Sequence, residues 1–211
     1  MAPTLVPPRR SVPEPALEWD DGEFTAKSSR GAVMSTVFMR RLSRWQAESE
    51  RENLGDLYLA ACQEAPDLFP LGREEFIRQL VDEDGGEPEF DMMVASDPSL
   101  VGCVYGYRAD RGSPWWEAFD GVPSEISELT AARQVFVITT LLVAPHRRRQ
   151  QVATKLQRQL LARSRAGLYL TLIDPGNSPA RAAFQSWGWT KAGQLTPTDG
   201  SHPREAWTST G

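Results

Sequence analysis

The stretch QVFVITTLLVAPHRRRQQVATKL, residues 134–156, decides the fold. Its first part is apolar and rich in β-branched residues, which predicts a strand over Gln134–Val143 that is buried on both faces. Pro145 ends that strand, and apolar residues spaced four apart predict a helix over Arg148–Arg165. A second apolar strand follows over Leu168–Ile173. Two strands joined through a helix by short connections indicate a right-handed unit with parallel strands.

Segments on both sides of this unit alternate between strand-like and helix-like patterns. They predict an α+β fold in which a central mixed sheet of about six to seven strands is flanked by about four helices. The Gly- and Pro-containing segment over residues 108–128 is predicted to be a loop. The further strands are expected at Ser35–Arg41, Phe90–Ala95, Leu100–Tyr107, Trp189–Leu195 and Glu205–Thr210, and the further helices at Trp45–Gln63, Gly72–Asp84 and Pro179–Trp187.

The N-terminal composition and the cysteines bear on organisation and compartment. Five Pro among the first fifteen residues predict a disordered extension over residues 1–33, followed by one domain over residues 34–211. No apolar run reaches the roughly 18 residues of a membrane-spanning helix, and the N-terminus lacks the apolar core of a secretory signal. Cys62 and Cys103 each lie in an apolar segment. This favours free thiols over a disulfide, and hence a cytoplasmic protein.

The distribution of charge separates the possible classes of ligand. The chain has 23 Lys and Arg against 28 Asp and Glu, and a net charge of −5 disfavours general nucleic-acid binding. Seven Lys or Arg residues and no acid lie between Pro145 and Arg165, so a compact anion is the expected ligand there. The free N–H groups at a helix N-terminus bind such an anion, and Arg147–Arg149 add charge beside them. The two histidines show no spacing that resembles a metal site.

Two sequence motifs in this region carry a family resemblance. The first reads V-x-P-x-x-R-x-x-x-x-A and consists of Val143, Pro145, Arg148 and Ala153. The second lies in DPGNSPARAAFQSWGW, residues 174–189, and matches N-x-x-A-x-x-x-Y-x-x-x-G-F/W at Asn177, Ala180, Gly188 and Trp189. In this order, with one helix and one strand between them, the motifs resemble those of the GNAT superfamily of acyl-CoA-dependent acyltransferases. The resemblance extends over about residues 35–211.

The resemblance implies that an acyl-CoA lies in a cleft between two splayed parallel strands. Backbone groups of Leu142 and Val143 would pair with the pantetheine arm as if it were an added strand. Asn177 would touch the same arm, and Ala180 and Phe184 would lie beside it near the thiol. Backbone amides would hold the diphosphate; they belong to Arg148, Arg149, Gln150, Gln151, Val152 and Ala153.

Three positions depart from the family pattern. Phe184 stands where a Tyr frequently serves as general acid, and Thr140 stands where a Glu frequently serves as general base. Gln151 occupies the place of the first Gly of the signature. We expect an ordinary helical conformation to accommodate Gln there, with weaker or shifted cofactor binding. Replacement of Gln151 by Gly should leave cofactor affinity equal or tighter.

An attacking amine must lose a proton, so another group is expected to accept it, directly or through water. Tyr107 and Glu128 are candidates, together with Glu125 and Glu117, although such residues more often lie on the surface or in packing contacts. A substrate amine with a lowered pKa would make a strong base unnecessary. The Trp115–Trp116 pair is either a small core under a loop or an apolar acceptor pocket.

The sequence therefore predicts an N-acyltransferase that transfers acetyl from acetyl-CoA, or another acyl group from its CoA ester, without a metal. The expected partner is a primary amine of a small molecule or a peptide, and the protein is expected to be a monomer or a homodimer. Phe184 and Thr140 leave open a non-catalytic domain that binds acyl-CoA as a sensor or scaffold. A nucleic-acid-binding protein that uses Arg147–Arg149 is a third hypothesis, which the acidic composition opposes. No membrane partner is expected.

Overall fold

The fold is organised around one mixed β-sheet. The computed structural model describes residues 37–63, 71–113, 119–120, 122–198, 200 and 202–211. Its strands are β1 Phe38–Leu42, β2 Asp91–Ser96, β3 Leu100–Ala109, β4 Phe119–Asp120, β5 Val135–Val143, β6 Leu168–Ile173, β7 Thr190–Pro197 and β8 Arg204–Thr210. They pair in the order β1-β2-β3-β5-β6-β8-β7-β4, and every pair is antiparallel except β5 with β6. The predicted α+β fold with a mixed sheet is confirmed.

Six α-helices accompany this sheet in the described residues. They are α1 Arg44–Ser49, α2 Arg51–Cys62, α3 Arg73–Arg78, α4 Ser124–Ala131, α5 Val152–Ser164 and α6 Ser178–Ser186. Helix α3 continues as a π-helical turn over Gln79–Glu83 and a 3-10 turn over Asp84–Gly86. None of the described helices is long and apolar enough to cross a membrane.

Three predictions about the helices are wrong. The helix expected over Trp45–Gln63 is divided at Glu50, whose backbone ψ of 6° is not helical. Helix α4 lies where a loop was expected, because eight residues carry too few apolar repeats to stand out from a Gly- and Pro-rich context. The helix expected from Arg148 begins at Val152, after a 3-10 turn and two residues with positive φ.

Helix α5 packs closely on the sheet through its apolar stripe. Val152, Leu156 and Leu160 are all buried. Gly102 of β3 lies directly below, since a Cβ there would be 3.0 Å from Leu156 Cδ1 and 3.1 Å from the Val152 side chain. The missing side chain lets the helix approach the strand and fixes the position of its first turn.

The parallel strands β5 and β6 diverge halfway along their length. Their pairing runs from Val135 opposite Leu168 to Ile138 opposite Thr171, and it ends there. The ladder between β3 and β5 shifts at the same level, because Tyr105 pairs with Thr140 and the next residue of β3 pairs with Ile138. Thr139 is therefore the extra residue of a β-bulge, which bends a strand locally. The splay that the family resemblance implied is present.

Some sequence predictions fall outside the described residues. These are the disordered extension over residues 1–33 and the Trp115–Trp116 pair with Glu117. The division into an extension and one domain over residues 34–211 stays a prediction.

Candidate active site

Two adjoining cavities occupy the cleft between the diverging strands. The larger has a volume of about 420 Å³ and the smaller about 240 Å³. Both are bounded by the outer half of β5 on one side and by helix α6 on the other. The residues that line both cavities are Leu141, Leu142, Asn177, Ala180 and Phe184.

The segment Arg148–Gln151, hereafter the basic turn, connects β5 to helix α5 by an unusual backbone path. Arg149 has a φ of 63° and Gln151 a φ of 60°, in the left-handed region. The first amides of α5, which follow directly, are N–H groups without partners inside the helix. The expectation that Gln151 has an ordinary helical conformation is thus wrong, because its φ lies in the left-handed region. Gly adopts that region without steric cost.

The arginines beside the basic turn have different partners. Arg147 forms an ion pair with Asp97 and donates to Gln150 Oε1 at 3.2 Å. The Arg148 guanidinium donates to the carbonyl oxygen of Ala61 at 2.9 Å and lines the smaller cavity. Arg149 is exposed. The three arginines therefore differ in the charge that they can add beside the helix N-terminus, because Asp97 pairs with Arg147.

Helix α6 forms the opposite wall through its N-terminus and its aromatic cluster. Asn177 Oδ1 accepts a hydrogen bond of 3.0 Å from Ala180 N, which caps the helix and holds the Asn177 side chain beside the cleft. Phe184 is buried and packs edge-to-face against Trp187 and Trp189, with ring centroids 5.0 and 4.9 Å apart. Trp187 Nε1 donates to Thr154 Oγ1 at 3.1 Å, which ties α6 to the first turn of α5.

Most residues predicted to contact the cofactor meet at one place. The smaller cavity is lined by Leu142, Val143, Arg148, Ala153, Asn177, Ala180 and Phe184. The other predicted positions are not in its lining. Arg149, Gln150 and Gln151 are exposed on the basic turn, and Val152 is buried against β3. These four were expected to contribute backbone amides to the diphosphate, and that expectation stays a prediction.

The two candidate proton acceptors do not reach the cleft. Glu128 is exposed on helix α4, as is Glu125, and neither lines either cavity. Tyr107 is buried on β3, and burial raises the pKa of its phenol above the ordinary value. It lines neither cavity. Their placement opposes the hypothesis that they take the proton of an acceptor amine.

A buried carboxylate that the sequence did not single out lies behind the cleft. Thr139 Oγ1 donates a hydrogen bond of 3.4 Å to Asp84 Oδ2, and Thr139 lines the larger cavity. The pKa of Asp84 is raised to about 7, chiefly by burial; the hydrogen bond from Thr139 lowers it, and the charges of Glu83 and Glu87 raise it. In the sequence, Asp84 is only the last residue of the helix predicted over Gly72–Asp84. The bulge that brings Thr139 to this carboxylate has no sequence signature.

The larger cavity is lined by polar as well as apolar residues. Arg204 and Asp174 line it, and Arg204 Nη1 donates to Asp174 Oδ2 at 3.0 Å. Tyr58 and Leu71 also line it, and Tyr58 donates its hydroxyl to the carbonyl oxygen of Leu71 at 3.0 Å. Burial raises the pKa of Tyr58 and of Tyr105, which also lines this cavity, so both phenols remain protonated hydrogen-bond donors. The described residues hold no group of three or more His, Cys, Asp or Glu side chains that could bind a metal ion.

Comparison with known proteins gives an independent view of this site. The sequence matches the model of the acetyltransferase (GNAT) family over residues 44–189. No curated protein matches the chain by sequence.

Several solved structures are similar in fold. The aminoglycoside acetyltransferase AAC(6')-Ib in complex with coenzyme A has a TM-score of 0.58 and 18% sequence identity, over 83% of this chain and 95% of that chain. Arabidopsis thaliana NAA60 in complex with a bisubstrate analogue has a TM-score of 0.57 and 17% identity, over 83% and 98%. An acetyltransferase from Thermus thermophilus has a TM-score of 0.57 and 11% identity, over 83% and 97%. At these identities the similarity concerns the fold.

Proposed function

The chain belongs to the acetyltransferase (GNAT) family, and on this premise we propose that it transfers an acetyl group from acetyl-CoA to a primary amine of a small molecule or a peptide. The observation that carries the proposal is the splay of β5 and β6 beside the basic turn. The splay opens a narrow cleft, and Arg148 of the basic turn and Ala153 of the first turn of α5 line it. A ligand that joins a long neutral arm to a diphosphate matches this combination.

The outer half of β5 is suited to hold the pantetheine arm. Leu141–Val143 pair with β3 on one side. On the other side, the pairing with β6 has already ended at Ile138. The N–H and C=O groups on that side face the cleft, where the amides of a pantetheine arm would bind them as a further strand does. Asn177 lies across the cleft and can contribute its side-chain amide.

The basic turn is suited to hold the diphosphate. Its left-handed residues and the first turn of α5 provide N–H donors, and the helix dipole adds positive potential at the same end. Arg148 supplies the formal charge, because its guanidinium lines the smaller cavity. In this arrangement the chain orients the thioester toward the larger cavity, where the amine would approach. Proximity of the two reactants contributes a large part of the acceleration in such reactions.

The larger cavity supports an amine-bearing acceptor. Asp174 lines it in an ion pair with Arg204, and Thr139, which also lines it, donates a hydrogen bond to the buried Asp84 behind the cavity wall. Two structural neighbours give examples of acceptor chemistry, since AAC(6')-Ib has been solved with kanamycin and with ribostamycin. For this chain, the carboxylate of Asp84 behind Thr139 favours a cationic or amine-bearing molecule over an anionic one.

A second candidate function is the binding of acyl-CoA without turnover, as a sensor or scaffold. Phe184 favours it, because a buried phenyl ring held between two Trp rings cannot return a proton to a departing thiolate. Tyr58 and Tyr105 oppose it, since each lines the larger cavity and carries a protonated hydroxyl.

The proposed compartment is the cytoplasm. Cys103 is buried and Cys62 is half-buried, and both are free thiols. Free thiols in a protein of this size support a reducing compartment.

One pair of measurements tests the proposed function. Calorimetry with acetyl-CoA should show saturable binding to one site, and release of free thiol should follow when a primary amine is added. A panel of kanamycin, spermidine and a short peptide with a free N-terminus covers the proposed acceptor classes. Binding with thiol release supports the enzyme, whereas binding without thiol release across the panel supports the sensor. Absence of binding by the folded protein would exclude both.

A further inference from the structure

The carboxylate of Asp84 lies next to the acceptor side of the cleft without lining it. Asp84 is only 6% exposed and lies in the 3-10 turn that follows α3 and its π-helical extension. Its Oδ2 accepts from Thr139 Oγ1, and Thr139 is half-exposed in the larger cavity. Of these two residues, only Thr139 lines the larger cavity, and its hydroxyl contacts the carboxylate of Asp84.

The β-bulge explains why this hydroxyl is available. As the extra residue of β5, Thr139 has no partner on β3, whereas Thr140 pairs with Tyr105 and Ile138 with the next residue. The pairing with β6 ends at Ile138, so Thr139 is also free of a partner strand on that side. The bulge thus brings a hydroxyl into the cleft at the point where the strands separate.

The electrostatic surroundings of Asp84 are those of a proton acceptor. The charges that act on it come from Glu83 and Glu87, which carry the same sign and so oppose its ionisation. From β3, the neutral phenols of Tyr105 and Tyr107 face it. From α1, the side chain of Arg44 approaches the next residue of the turn, Gly85.

Burial without a balancing cation raises the pKa of Asp84 to about 7. A base with a pKa near the working pH is well suited to proton transfer.

We propose that Asp84 accepts the proton of the acceptor amine through the hydroxyl of Thr139, an inference that rests on the proposed function. In this relay the ammonium of the acceptor gives a proton to Thr139 Oγ1 while the Thr139 hydroxyl proton passes to Asp84. The neutral nitrogen then forms the C–N bond with the carbonyl carbon of the acyl-CoA thioester, and the C–S bond breaks. The thiolate takes up the second amine proton, through water, and Asp84 returns its own proton to solvent.

The relay takes its carboxylate from a different element, because strand β5 has none. The position that the resemblance assigns to a basic Glu is occupied by Thr140, and β5 carries no carboxylate. Asp84, in the turn that continues α3, accepts a hydrogen bond from the neighbouring residue of β5, Thr139. In this account Thr139 contacts the substrate and Asp84 is a positioning residue that acts through it. Hydrogen bonds of catalytic groups are commonly long before substrate binds and shorten in the complex, which fits a distance of 3.4 Å.

The first test is a direct titration that does not depend on turnover. Carbon-13 NMR of the side-chain carboxyl groups, with Asp84 assigned from Asp84→Asn, should show a titration near pH 7. Thr139→Val should raise the pKa of Asp84 further, because the removed hydrogen bond favours the charged form. A titration of Asp84 near its ordinary value of 3.8 would overturn the proposal, whatever amine is used.

The second test is the pH dependence of kcat/KM for acetyl transfer from acetyl-CoA to the amine of the panel that is turned over fastest. The wild-type protein should show a rise with an inflection near pH 7. Asp84→Asn should lose this inflection and at least about 100-fold in rate, the usual contribution of such a group. Asp84→Glu should restore part of the rate, Thr139→Ser should keep the inflection, and Thr139→Val should lose it. The Kd for acetyl-CoA should be unchanged in all four.

A matched control is available on β2. Asp91 is 7% exposed and pairs with Arg41 at 2.6 Å and Arg163 at 3.5 Å, away from the cleft. Asp91→Asn removes a buried carboxylate and should leave the inflection in place. If Asp84→Asn keeps the wild-type rate and profile, the relay is wrong while the proposed function stands. If the wild-type protein fails to bind acetyl-CoA, the proposed function itself fails, and the relay with it.

Discussion

Arg148 and Ala61 both line the smaller cavity, and the guanidinium of Arg148 donates a hydrogen bond of 2.9 Å to the carbonyl oxygen of Ala61. Ala61 lies in the last turn of α2, where carbonyl groups lack partners inside the helix. The contact therefore ties the basic turn to the helix that covers the cleft. It also holds the only arginine of the smaller cavity's lining beside the proposed diphosphate position, among the residues that the structure describes.

Replacement of Arg148 should weaken the binding of acetyl-CoA. Arg148→Ala removes both the formal charge at the cavity and the link to α2, and we expect the Kd to rise about tenfold, equivalent to about 1.4 kcal/mol. Calorimetry measures the change. Arg158→Ala is the matched control, because Arg158 is exposed on α5 beyond the first turn. An equal loss of affinity in both variants would indicate a general effect of charge and contradict a specific site.

Glycine at position 151 should stabilise the protein. Gln151 has a left-handed backbone, which costs a non-glycine residue about 1–2 kcal/mol. We therefore expect Gln151→Gly to raise the free energy of unfolding by about 1 kcal/mol and to leave the affinity for acetyl-CoA equal or tighter. Lys155→Gly, in the exposed part of α5, should instead lower stability by about 1 kcal/mol. Urea denaturation of both variants checks the opposite signs, and a loss of stability in both would contradict the left-handed turn.

The ionisation of Asp84 should lower the free energy of unfolding as the pH rises from about 4 to about 7. Its pKa is about 7 in the folded protein and ordinarily 3.8. As the pH rises above 4, the unfolded chain releases this proton first, so the folded state loses stability until the pH reaches about 7. The three-unit difference corresponds to about 4 kcal/mol.

Asp84→Asn lacks this term, so its stability relative to the wild-type protein should rise between pH 4 and pH 8. Urea denaturation at several pH values provides the comparison. A constant difference between the two proteins across this range would show that Asp84 is not held in a desolvated site.

Gly106 should be indispensable for the bulge. A Cβ at this position would lie 2.0 Å from the carbonyl oxygen of Val137, a backbone atom that cannot move without disturbing the ladder. Gly106→Ala should therefore lower the free energy of unfolding by about 3 kcal/mol or more and reduce turnover. Gly193→Ala is a control in strand β7, where the nearest atom would be a side-chain carbon of Pro123 at 3.8 Å, an ordinary contact. Comparable losses in the two variants would refute a specific requirement at Gly106.

The sequence was sufficient to predict the parts of the fold that repeat a simple period. The apolar run of β5, the stripe Val152, Leu156 and Leu160 on α5, and the second strand of the unit are all as predicted. These elements are stabilised mainly by burial of their own apolar faces, so their pattern is visible locally. Seven of the residues that line the smaller cavity were predicted from the family resemblance, whereas five others were not: Ala61, Leu141, Pro179, Ala183 and Trp187.

The parts that sequence could not predict depend on backbone geometry and on distant contacts. The left-handed Gln151 carries a side chain that gives no local signal for positive φ. The bulge at Thr139 arises from register between β3 and β5, which no single segment encodes. The proposed role of Asp84 could not be predicted for the same reason, because it depends on the hydroxyl of Thr139, 55 residues away in sequence. Conversely, Glu128 was selected for its position before β5 but lies exposed on a helix that was not predicted.

The central claim is that the cleft beside the basic turn binds an acyl-CoA through its diphosphate. Calorimetry of the wild-type protein with acetyl-CoA, compared with S-acetylpantetheine, which lacks the diphosphate, tests it most directly. We predict saturable binding of acetyl-CoA to one site and an affinity for S-acetylpantetheine at least about tenfold lower. Absence of acetyl-CoA binding by the folded protein, or equal affinity for the two ligands, would contradict the claim.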